Sequence, residues 1–112
     1  MARNTTSTAT KATRIPADYE DFIAKASWKA MDLLEDDYTF GEAISKVVRE
    51  TKWLATPEGA RFVVSNSPTL ASTDTASAIP DGAQLVDIAI ETLMIDLRAD
   101  LVDLGIEPEL FA

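Results

Sequence analysis

Apolar residues at 19, 22, 23, 26, 30, 33 and 34 recur at three- and four-residue steps, with charged residues between them. That spacing stacks side chains along one side of an α-helix. Pro16 suits a first helical position, and Asp18, Glu20 and Asp21 suit the positive end of the helix dipole. The pattern predicts a first helix over 16–35, closed by Asp36 and Asp37.

Thr39-Phe40-Gly41-Glu42 then has the form of a capping box, with Thr39 as N-cap and Glu42 at the third helical position. A second helix is expected over 40–54, with a stripe of Phe40, Ile44, Val47, Val48, Thr51 and Leu54. The short link makes the first two helices antiparallel neighbours. Thr56-Pro57 opens a third, short helix through residue 64. Residues 65–79 are rich in Ser, Thr and Ala. They read as a loop with one helical turn after Ser67-Pro68.

The last helix, opened by Asp81 and Gln84 and ended by Gly105, has too many apolar residues for one side. Val86, Ile90, Leu93, Leu97, Leu101 and Leu104 form one wide face. Ile88, Ile95 and Val102, spaced by seven, hold a nearly constant heading on the far side. Two arrangements satisfy this pattern. Either the other helices surround this one on both sides, or one face packs the core and the Ile88/Ile95/Val102 stripe packs another chain. Trp28 on the first helix and Trp53 on the second both fall off their apolar stripes. Exposed tryptophans are enriched as interface anchors. Asp96, Asp100 and Asp103 line one flank of the last helix as an acidic ridge.

These elements make an all-α fold, a small bundle of about four helices. At 112 residues the chain is one domain. Residues 1–14, rich in Thr and Ser, hold Arg3, Lys11 and Arg14 and no acid. They read as a basic arm, disordered in isolation, ahead of an acidic helical domain over 15–112. The net charge is −9, and residues 63–112 carry Arg98 alone against nine acids. A body this negative repels nucleic acid, so direct binding of DNA or RNA by it is not expected. The N-terminus lacks the apolar segment of a secretory signal, and the charges on the last helix argue against a membrane span.

The chain has neither histidine nor cysteine. That removes the commonest general base, the commonest metal ligand and the thiolate nucleophile. No phosphate-binding loop or metal-ligand spacing is present, and the acids at 32, 35, 36 and 37 do not match a calcium loop. No cofactor, metal or catalytic residue is expected. The expected function is non-enzymatic: a small structural or assembly component that associates with itself or a larger assembly. Its expected contacts are Ile88, Ile95 and Val102, with Trp28 and Trp53 as secondary anchors and the arm reaching a neighbour. The alternative is an acidic regulator or inhibitor that docks its ridge on a basic surface of a nucleic-acid-handling protein. Size and composition suit a viral or mobile-element accessory protein, in the cytoplasm or within a soluble or virion assembly.

Overall fold

The computed structural model describes residues 14–71 and 83–112. Arg3, Lys11 and the Asp81 cap expected for the last helix lie outside the described residues; Arg14 opens them and is exposed. Among the described residues the fold is all-α, with five α-helices, two 3-10 turns and no strand.

Helix α1 spans Tyr19–Glu35. It begins later than Pro16 suggests because Asp18 is the cap. Its backbone is extended, and its carboxylate accepts from the amides of Glu20 and Asp21 at 2.9 and 3.3 Å. Two of the amides left unpaired at a helix start are thereby satisfied. At the other end Asp37 turns the chain with φ of 71°.

Helix α2 spans Phe40–Arg49, shorter than the expected 40–54. Its capping box forms as the sequence predicts. The Glu42 amide donates to Thr39 Oγ1 at 3.2 Å, and the Thr39 amide donates to Glu42 Oε1 at 3.0 Å. These bonds hold the Glu42 carboxyl below its ordinary range, the backbone amide of Thr39 contributing most. Beyond Arg49 the Thr51 hydroxyl donates to the Val47 carbonyl at 2.9 Å, and the chain tightens into a 3-10 turn, Lys52–Ala55.

Helix α3, Pro57–Asn66, starts with the expected Thr56 cap and Pro57. Thr56 Oγ1 accepts from the Gly59 amide at 3.0 Å and donates to the Trp53 carbonyl at 2.7 Å. The turn is drawn so tight that a Cβ on Gly59 would lie 1.9 Å from the Trp53 carbonyl oxygen. Only glycine fits there. A single helical turn, α4 (Pro68–Ala71), follows Ser67.

Helix α5, Ala83–Asp103, is the longest element and packs against α1, α2, α3, α4 and the first 3-10 turn. Gly105, at φ of 96°, ends it. The Ile106 amide reaches back to the Leu101 carbonyl and that of Gly105 to Val102, both at 3.0 Å, the paired bonds of a Schellman cap. The tail closes with a 3-10 turn, Pro108–Phe111. From it Ile106 and Phe111 pack against the core, while Leu110 stays exposed.

The core sits along α5. Leu85, Ala89, Leu93, Leu97 and Leu101 are completely enclosed, facing Ala30, Leu34, Ala43, Val63 and their neighbours. Small residues on α1, α2 and α3 (Ala26, Ala30, Ala43, Ala60) let the helix backbones approach closely. No helix among the described residues is long and apolar enough to cross a membrane.

Candidate functional site

The buried arc of α5 is rotated from the apolar face that its sequence suggests. At about 100° per residue, the enclosed positions Leu85, Ala89, Thr92, Leu93, Asp96, Leu97 and Leu101 centre on a line turned about 65° toward the acidic flank.

On one side the acidic ridge is drawn into the fold. Asp96 is only 5% exposed. Its Oδ2 accepts from the Tyr19 hydroxyl at 2.5 Å and from Ser67 at 2.7 Å, and its Oδ1 accepts from Thr69 at 2.5 Å. Asp100, half-buried, accepts from the Ser27 hydroxyl at 2.6 Å. Asp103 alone of the three stands exposed. The expectation of a continuous exposed ridge is therefore corrected. A carboxylate tolerates burial when hydrogen bonds replace its water, and hydroxyls on α1 and the α3–α4 junction supply them. No buried side-chain polar atom lacks a partner among the described residues.

This carboxylate also governs Tyr19. Burial first, then the hydrogen bond to Asp96 and its negative charge, push the phenol far above its ordinary range. Tyr19 thus stays a proton donor at any physiological pH. Above the pair opens a cleft of about 670 Å³, bordered by Glu20, Asn66, Thr69, Asp100 and Asp103. Among the described residues no group of three or more His, Cys, Asp or Glu side chains is placed to hold a metal ion. Both oxygens of Asp96 are already taken by donors, so the cluster's evident chemistry is to tie α5 to α1 and α4.

Outside the buried arc of α5 lies the seven-spaced stripe. Ile95 is 51% and Val102 47% exposed, while Ile88 is half-buried and touches the core. Glu91 and Arg98, both exposed, share one flank of the stripe. The Arg98 guanidinium lies 5.2 Å from the centre of the Phe40 ring. Leu104, expected on the core face, is also exposed, because the helix unwinds at that point.

The tryptophans separate. Trp28 points outward from α1 and is 61% exposed. Trp53 is 5% exposed, which corrects its expected place on the surface. Its ring meets Phe22 edge-on at 5.0 Å and Phe62 at 5.8 Å. The helical wheel failed for Trp53 because α2 ends four residues before it, and the 3-10 turn swings the side chain inward. The buried polar cluster was missed because Ser27 and Ser67 sit among apolar positions without a signal of their own. The available signal was Leu85, Ala89, Leu93, Asp96 and Asp100, a second helical row that includes two acids. No known protein family, curated protein or solved structure matches this chain.

Proposed function

We propose that this protein acts through protein–protein contacts, as a small structural or assembly component that associates with copies of itself. One observation carries the reading: Ile95 and Val102 stand half-exposed on the longest helix, although its opposite side is fully packed in the domain. Branched apolar residues seven apart, flanked by charges, suit a helix–helix seam. Trp28, outward on α1, is the second anchor. The three basic residues of the N-terminal 14 residues, set against a strongly acidic C-terminal half, favour contact between copies in the same sense. The reading suits a component of a soluble or virion assembly, or a cytoplasmic accessory of a virus or mobile element.

Light scattering behind a sizing column tests it. The expected mass exceeds the 12.2 kDa of one chain and rises with loading. Ile95→Asp is expected to return the mass to one chain without loss of helicity. A wild-type mass of one chain at every concentration would sink the proposal.

The second reading, an acidic regulator that docks on a basic surface of a nucleic-acid-handling protein, draws on the cleft edged by Glu20, Asp100 and Asp103. It differs in its salt response, since charge-steered capture weakens steeply with ionic strength. Capture of a basic partner that is indifferent to both salt and Asp103→Asn would exclude it.

A further inference from the structure

We infer that the second copy meets α5 antiparallel, with a two-fold axis passing at Ile95. The inference rests on the self-association reading above and specifies its geometry. The stripe Ile88, Ile95 and Val102 is symmetric in sequence about its middle member. A two-fold axis there sets Ile95 against the partner's Ile95 and Ile88 against the partner's Val102. Ile88 is the most buried of the three and Val102 the most C-terminal, so each end of the seam joins a half-buried residue to an exposed one.

The charges choose between antiparallel and parallel. Glu91 and Arg98 lie on one flank of the stripe; the other flank carries the small, exposed Ala99 and the buried Thr92. An axis perpendicular to both helices lays each charged flank against its own copy. Glu91 then stands within one residue of level with the partner's Arg98, an axial offset of about 1.5 Å. The pair occurs twice. A parallel dimer would instead lay each charged flank against the partner's Ala99 side, where the exposed acid Asp103 stands five residues, about 7.5 Å, along the axis from Arg98 and Glu91 meets no cation. Neither Glu91 nor Arg98 has a salt-bridge partner among the described residues. The Phe40 ring supports the guanidinium plane of Arg98, and the N–H groups at the edge of that plane remain available to a carboxylate.

Charge reversal tests the register. Glu91→Arg sets Arg against Arg twice, and Arg98→Glu sets Glu against Glu twice. Each alone is expected to weaken the dimer about tenfold, and the double variant to recover wild-type affinity. Both positions are exposed, and circular dichroism checks that the fold persists in all three variants. A second arm uses the absence of cysteine from the chain. Chains carrying Ile88→Cys, mixed with chains carrying Val102→Cys, should join through a short bifunctional thiol reagent. Neither should join with itself. If Ile88→Cys chains join to one another and the mixture does not, the antiparallel register is overturned. If Ile95→Asp dissociates the dimer while the charge reversals leave it unchanged, the register also fails and self-association stands. A wild-type chain that stays single at every concentration overturns both.

Discussion

At Gly59 the backbone of the first 3-10 turn passes so near α3 that one methyl group has no room. The obstacle is the Trp53 carbonyl, which is backbone and cannot swing aside. Gly59→Ala is therefore expected to cost about 3 kcal/mol or more, the upper end of overpacking, and a urea titration measures it. Asp37 presents the opposite case. It is exposed and held at φ of 71°, a conformation that disfavours side chains other than glycine. Asp37→Gly is expected to raise stability by about 0.5–1 kcal/mol, seen as a higher melting temperature. A lower one would show that the Asp37 side chain contributes more than its backbone strain costs.

At the scale of elements, Asp96 is the tie between α5, α1 and α4. Three hydroxyls from two separate segments donate to it. Asp96→Leu leaves those hydroxyls enclosed without an acceptor, and its expected cost is at least about 2 kcal/mol. Tyr19→Phe removes one donor and keeps the ring contacts, so it should cost about 1–2 kcal/mol. The order of the two losses, obtained from denaturant midpoints, is the check: Tyr19→Phe equal to or worse than Asp96→Leu would contradict a cluster centred on the carboxylate. Ile95 and Val102 stay outside the buried arc of α5 in this rotation, as they would with the wide apolar face inward.

For the whole molecule, Tyr19 sets an alkaline limit. Its pKa in the folded state is raised, so its contribution is fully present below the unfolded phenol's value of about 10. Above that pH the unfolded chain sheds a proton that the folded chain keeps. Stability then falls as pH rises, by up to about 1.4 kcal/mol per pH unit. Urea midpoints collected from pH 8 to pH 12 should show this fall in wild type, and the difference from Tyr19→Phe should shrink above about pH 10. A difference that stays constant would mean that the phenol is not held as the structure shows.

The helix inventory was legible in the residues because its signals are local. Thr39 with Glu42, Thr56 with Pro57, and Gly105 each act within a turn of their own backbone, and all three work as their types suggest. The outward Trp28 and the seven-spaced Ile88, Ile95 and Val102 could likewise be read from periodicity alone. Tertiary structure decided what periodicity leaves degenerate. A helix with apolar residues on two sides and acids on a third has several rotations of similar apolar burial. The hydroxyls of Tyr19, Ser27, Ser67 and Thr69 select the one that takes Asp96 and Asp100 inward. Those hydroxyls lie between 27 and 77 positions away in the chain, a separation that no local pattern records. Trp53 follows the same logic: its place depends on where α2 stops and on Phe22 and Phe62 being there to receive it. Sequence alone thus determined where the helices lie and which residues cap them. Which side of α5 faces inward was settled by partners brought together only when the chain folds.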